Sequence, residues 1–113
     1  MLPPVTRAEL ETRYREAYYK FAKYIYFADS KTPMQARALA VREMPNMKRA
    51  LTLTLSAGDV AMAVDFADSI VLFLDVFGRW RERDAVMEQV DKETRRQGDG
   101  EVDEGGVFVG VAA

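Results

Sequence analysis

The sequence predicts an all-α fold in which about five helices form antiparallel pairs that stack as a short array. Three glycines at regular spacing are the first indication: Gly58, Gly78 and Gly98 each follow an apolar or amphipathic run and precede a polar restart. Glycine readily adopts the left-handed conformation that closes a helix, and each interval fits one helix of about 18 residues and a tight turn. The second indication is that apolar residues recur at helical spacing between these glycines.

The first predicted helix runs from Thr6 to about Asp29. Thr6 and Glu9 have the spacing of a capping box, in which each side chain satisfies a free backbone amide of the other residue. Tyr19 and Tyr26 lie on a second face of this helix, so more than one neighbour should cover it. The main apolar stripe consists of Tyr14, Tyr18, Phe21 and Ile25.

A second helix should begin at Thr32, which can act as its cap, with Pro33 suited to the first helical position. Proline disfavours helical structure at the residue before it, so Pro45 is expected to end or kink this helix. A third helix then runs from about Pro45 to Ala57. The apolar positions of the two helices include Ala36, Leu39, Ala40, Met47, Ala50, Leu51, Leu53 and Leu55.

The fourth predicted helix is capped by Asp59, directly after Gly58, and extends to Phe77. It is apolar nearly all round, which is typical of a helix buried among its neighbours. The fifth helix runs from Arg79 to about Gln97. Its predicted inner stripe consists of Trp80, Val86, Met87 and Val90.

Composition changes after residue 97, which divides the chain into a helical-repeat domain (1–97) and a tail (98–113). The tail holds five of the seven glycines and four acidic residues. Such a composition cannot offset the entropy lost on ordering, so we expect the tail to be disordered.

The composition excludes several classes of function. The 113-residue chain has no cysteine, which excludes disulfides and thiolate chemistry, and no histidine, the commonest general base and metal ligand. Its net charge of −2 gives no general attraction to nucleic acid or anionic membranes. The most apolar stretch, 60–77, contains three aspartates and is shorter than a membrane span. We therefore expect a cytoplasmic, non-enzymatic protein without cofactor, metal site, membrane partner or direct nucleic-acid partner.

Those three aspartates, Asp65, Asp68 and Asp75, leave two interpretations open. Paired carboxylates can bind a hard cation or transfer protons. Alternatively, the aspartates mark the solvent-facing side of the fourth helix. No second ligand cluster converges with them in the sequence, which favours the second interpretation.

Two groups of residues are candidates for binding a partner. Tyr19, Tyr24 and Tyr26 could form an exposed aromatic face, because tyrosine combines an apolar ring with a polar tip; packing against neighbouring helices is the alternative. The second group is Arg79, Trp80 and Arg83.

The second group stands at the start of a helix, where the helix dipole disfavours positive charge. Asp75 and Asp84, or an anionic partner, could compensate this charge. Tryptophan and arginine are the residue types most enriched at interface hot spots. The alternative for Trp80 is a structural one, in which it anchors the turn by packing on Phe77.

Three segments, 45–51, 58–60 and 77–82, resemble the tetratricopeptide-like helical region of bacterial signal-transduction ATPases and large transcriptional regulators. The similarity covers roughly residues 10–90. It implies a right-handed stack of antiparallel helix pairs that serves as a sensor or docking surface. The family's ATPase would lie elsewhere, since this sequence has no phosphate-binding loop.

The sequence thus predicts a non-catalytic protein–protein interaction module, a helical-repeat scaffold that binds a protein or peptide as the docking part of a signalling or regulatory protein. One alternative is a structural helical bundle that self-associates as a homodimer through its tyrosine face. A second is a component of a transcription-regulatory assembly that touches DNA only indirectly.

Overall fold

The computed structural model describes residues 4–99, which form four α-helices and contain no strand. They are α1 (Arg7–Ala28), α2 (Pro33–Ser56), α3 (Val60–Val76) and α4 (Trp80–Asp99). The all-α prediction is confirmed, with four helices where about five were predicted. Residues 100–113, most of the predicted tail, lie outside the described part of the chain. Within 4–99, no helix is both long and apolar enough to cross a membrane.

The predicted capping box at the start of α1 is confirmed. The Thr6 hydroxyl oxygen accepts from the Glu9 amide at 3.1 Å, and the Glu9 carboxylate accepts from the Thr6 amide at 3.2 Å. Thr32 precedes α2 as predicted, but its side chain does not cap that helix. Its hydroxyl instead donates to the Ala28 carbonyl at 3.2 Å.

Glycine reverses the chain at two of the three predicted positions. Gly58 has φ +82° and Gly78 has φ +71°, both in the left-handed region. The Gly58 amide donates to the Leu55 carbonyl at 3.0 Å, and the Asp59 amide donates to the Thr54 carbonyl at 3.3 Å. This pair of bonds closes a helix through a left-handed residue, and the equivalent pair closes α3 at Gly78.

The predicted turn at Gly98 is wrong, because α4 continues through this residue to Asp99. Glycine costs a helix about 1 kcal/mol relative to alanine, which weakens the helix but does not end it. The two glycines that do reverse the chain are each followed by a helix that folds back and packs. The cap predicted at Asp59 is confirmed, since its carboxylate accepts from the Met62 amide at 3.1 Å.

The predicted helix boundary at Pro45 is also wrong: α2 runs through it without interruption. Proline lacks the amide that would bond four residues back, and its ring crowds that turn. Packing outweighs this local cost, because Met44 and Met47, on either side, are fully buried in the core. One helix of 24 residues therefore replaces the predicted pair.

Two tyrosine hydroxyls of α1 hold the turn of α2 that contains Pro45. Tyr14 donates to the Asn46 side-chain oxygen at 3.0 Å, and Tyr18 donates to the Glu43 carboxylate at 2.9 Å. The Asn46 side-chain amide donates to the same carboxylate at 3.0 Å. Both bonds lower the pKa of Glu43, and the bond from Asn46 has the larger effect. The pKa of Tyr18 is raised, mainly by burial and then by its hydrogen bond to Glu43.

The four described helices form an open stack, in which the first and last helices are not in contact. α3 packs against α1, α2 and α4, and α2 also contacts α4. Over residues 4–99, α1 and α4 do not touch, so the helices do not close into a ring as they would in a four-helix bundle. The largest side chains of the core are Phe66, Phe73, Ile25, Met44, Met47 and Leu51.

Replacing Gly78 with alanine tests the reversal between α3 and α4. A Cβ placed on Gly78 has open space around it, so the expected cost is that of a left-handed alanine backbone, about 1–2 kcal/mol. Asparagine tolerates this conformation better, and Gly78→Asn should therefore cost less than Gly78→Ala. Urea denaturation measures both, and equal stability of Gly78→Ala and the wild type would contradict the assignment.

Candidate interaction surface

A groove with a volume of about 660 Å³ runs between α3 and α4 on the side of the hairpin that no described helix covers. Ala67 and Val90 form a buried apolar floor. Val64 and Met87 form exposed apolar walls, with 42% and 52% of their surface accessible. The groove is lined by Val64, Ala67, Asp68, Val71, Met87, Glu88, Val90, Asp91, Thr94 and Arg95.

The rim of the groove is acidic. Asp68, Glu88 and Asp91 line it and are exposed, whereas Arg95 is the one cation among the lining residues. Three negative charges and one positive charge leave a formal charge of −2. Arg95 is already paired with Asp91 at 3.1 Å. The groove therefore combines an apolar floor with a rim that favours positive charge in a ligand.

The aspartates of α3 separate into different roles. Asp65 accepts hydrogen bonds from Lys23, at 3.0 Å, and from Tyr19. Asp75 accepts from Arg83 at 2.6 Å, and Asp68 lies on the groove rim. Within residues 4–99, no group of three or more acidic side chains is arranged to hold a metal ion.

The three candidate tyrosines have different surroundings, and Tyr24 is the most exposed of them, at 66%. Tyr19 is half-buried between α1 and α3, with its ring edge-on to Phe66 at 5.8 Å between centroids. Its hydrogen bond to Asp65 raises the pKa of Tyr19. The same bond lowers the pKa of Asp65, and the hydrogen bond from Lys23 lowers it further. Tyr19 is therefore an interhelical contact, and its predicted place on an exposed aromatic face is wrong.

Tyr26 remains accessible, with 38% of its surface exposed. Its ring meets that of Phe27 at 82° with 5.5 Å between centroids. The Lys23 ammonium lies 5.9 Å from the Tyr26 centroid and 5.3 Å from the Phe27 centroid, within cation–π range. The structure does not bring this cluster to the groove.

Arg79 is engaged within the fold. Its guanidinium donates two hydrogen bonds to the Glu82 carboxylate, at 2.7 and 2.6 Å. Lys48 of α2 donates to the same carboxylate at 3.0 Å, so Glu82 links α2 to the first turn of α4. These bonds, from Arg79 first and Lys48 second, lower the pKa of Glu82 from 4.5 to about 2.

Arg83 is also paired, with Asp75 at 2.6 Å and Asp84 at 3.0 Å. The predicted compensation of its charge by these two acids is confirmed. Arg79 and Arg83 therefore both hold intramolecular carboxylates.

Trp80 is 60% exposed, so its predicted place on the inner stripe of α4 and as a buried turn anchor is wrong. The buried side of α4 is set by Val86 and Val90. Trp80 and Met87 are seven residues apart, so they lie on the same face of α4. Each residue advances about 100° around a helix, which places this face about 100° from Val86. Trp80 thus lies on the same side of α4 as the exposed wall of the groove.

Sequence reasoning missed the groove, although one signal for it was present. α3 is apolar on nearly all sides, whereas α4 offers only two buried positions to cover it. A helix that is apolar all round requires neighbours on all sides, and the described helices leave one side of α3 without a neighbour.

Comparisons of the chain with protein-family models, curated proteins and solved structures find no match. The resemblance to a tetratricopeptide-like region therefore stays a prediction.

Glu82→Gln tests the link between α2 and α4. The folded-state pKa of about 2 lies below the ordinary 4.5, so the ionised carboxylate stabilises the fold above pH 4.5, and this contribution is lost between pH 4.5 and 2. The group is about a third exposed and partly screened, so we expect a loss of about 1 kcal/mol at pH 7 and almost none near pH 2.

Urea denaturation at several pH values measures this difference. Glu16→Gln, at an exposed position of α1, is the matched control and should change stability little. A loss at pH 7 that persists unchanged at pH 2 would contradict the ion-pair assignment.

Proposed function

We propose that this chain is a non-catalytic protein–protein interaction module whose groove between α3 and α4 binds an amphipathic helix flanked by cations. The observation that carries the proposal is the combination of an apolar floor and an acidic rim on a side of the stack without a described helix over it. A helix with one apolar face and basic edges matches both features.

The packing inside the chain supports a helix as the ligand. α3 contacts both helices of the first hairpin, α1 and α2, so this fold already accommodates a helix on a hairpin. The α3–α4 hairpin presents a groove of the same kind on its free side. Val64 and Val71 are seven residues apart, about 10 Å along the axis, which suits anchors at i, i+3 or i+4, and i+7 of a ligand helix.

The wall residues support hydrophobic recognition. Met87 is half exposed, and its flexible, polarisable side chain adapts to different apolar surfaces. Trp80, on the same side of α4, is the residue type most typical of interface hot spots. The acidic rim would mainly set the orientation and association rate of a basic partner, because exposed charges contribute more to these than to affinity.

The order of helix contacts supports the finer proposal of a tetratricopeptide-like array. Consecutive hairpins stack so that α1 meets α3 and α2 meets α4. Such arrays act as scaffolds because each hairpin leaves a surface for the next element. We infer a scaffold role in a signalling or regulatory assembly, which rests on the resemblance in addition to the groove.

Two designed helical peptides test the proposal. Both carry the same leucine stripe, one with lysine and the other with glutamate beside it, and fluorescence anisotropy reports their binding to the full chain. We expect the lysine peptide to bind at least about tenfold more tightly, a difference of about 1.4 kcal/mol. Met87→Lys should weaken it by a similar factor, because it places a charge in the apolar wall.

Met34→Lys is the matched control, since Met34 is 86% exposed at the start of α2 and does not line the groove. It should leave binding unchanged. Equal losses in Met34→Lys and Met87→Lys, or no preference between the two peptides, would contradict the proposal.

A further inference from the structure

We infer that the ligand of the groove is helix α1 of a second copy of this chain, so that copies join head to tail. This inference rests on the proposed function and names the partner. It follows from a second unpartnered surface at the opposite end of the stack, whose pattern and charge complement the groove.

That surface is a stripe on α1 formed by Leu10, Ala17 and Tyr24. These residues recur every seven positions, lie on one face of the helix, and are all exposed, Leu10 by 54% and Tyr24 by 66%. The stripe extends over about 21 Å of helix. Within residues 4–99, α1 is covered by α2 and α3 only, and this stripe is left free.

The charges beside the stripe are basic. Arg13 and Lys20 each follow a stripe residue by three positions and are exposed. Glu9 and Glu16 are exposed as well, but each lies about 100° around the helix from the stripe. The stripe with its two cations therefore has the composition that the groove, with a formal charge of −2, should bind.

A contact of the same kind already exists within the chain. α3 is the first helix of the second hairpin, and it packs on both helices of the first hairpin. In the proposed contact, α1, the first helix of the next copy, packs on α3 and α4 in the same manner. Each added copy would therefore continue the stack of hairpins.

The charges also argue against the other occupants. Groove against groove would bring Asp68, Glu88 and Asp91 of two copies together, and stripe against stripe would oppose the basic residues. A head-to-tail contact pairs unlike charges, and contacts of this type form rings or open chains. The C-terminal segment of the same chain begins with Glu101, Asp103 and Glu104, which have the same sign as the rim.

Sedimentation velocity of two full-length variants tests the inference. The first, Arg13→Glu/Lys20→Glu, reverses the charge beside the stripe and leaves the groove intact. The second, Glu88→Lys/Asp91→Lys, reverses the charge of the groove rim and leaves the stripe intact. Circular dichroism establishes that both fold.

We expect the wild type to associate as its concentration rises, and to do so less in high salt. Each variant alone should associate at least about tenfold more weakly than the wild type, one decade in the dissociation constant. An equimolar mixture should recover association, because the intact groove of the first variant can bind the intact stripe of the second, and the basic rim of the second complements the acidic stripe of the first. Lys31→Glu/Arg42→Glu carries the same change in net charge as the first variant, at exposed positions outside the stripe and the groove, and should associate like the wild type.

A strictly monomeric wild type overturns the inference. If that monomer still binds the lysine peptide at the groove, the proposed function stands and only the identity of the partner is wrong. A monomeric wild type that associates only after Phe108→Asp overturns it too, because the occupant of the groove is then the chain's own C-terminal segment. Dimers of the wild type that are unaffected by either variant indicate a symmetric interface elsewhere, which also overturns the inference.

Discussion

The reversal of the chain at Gly58 is the constraint on which the rest of the structure depends. Its φ of +82° is easily adopted only by glycine, and the turn joins α2 to α3 as antiparallel neighbours. These are the two helices that contact all three others. Because α2 and α3 lie between them, α1 and α4 are held apart, and none of the described helices covers the outer side of the α3–α4 hairpin.

The sequence predicted local features well where the atoms that form them are close along the chain. The capping box of Thr6 and Glu9 and the turns at Gly58 and Gly78 depend on contacts within six residues, and all were confirmed. Pro45 behaved differently because its outcome depends on distant residues. The buried methionines beside it and the tyrosine hydroxyls of α1 hold α2 through a position that local rules assign to a break.

The candidate site was harder to predict for a related reason. The sequence indicated which side chains can bind a partner, but not which of them already have one inside the fold. Tyr19 of α1 and Arg83 of α4 hold carboxylates of α3, whereas Arg79 holds Glu82 within its own turn. Trp80 is exposed because α4 turns Val86 and Val90 to the core instead. The groove itself is a tertiary feature, set by the side of α3 that no helix of residues 4–99 covers.

A distance measurement between α1 and α4 tests the open stack most directly. The chain has no cysteine, so the double variant Glu16→Cys/Lys92→Cys carries one spin label on α1 and one on α4. Dilution with unlabelled protein ensures that the measured distance lies within one molecule. Helices in contact lie about 8–10 Å apart, so an open stack predicts a separation of roughly 20 Å or more by electron spin resonance. A separation near one helix diameter would mean a closed bundle, and would contradict both the open order of the helices and the groove.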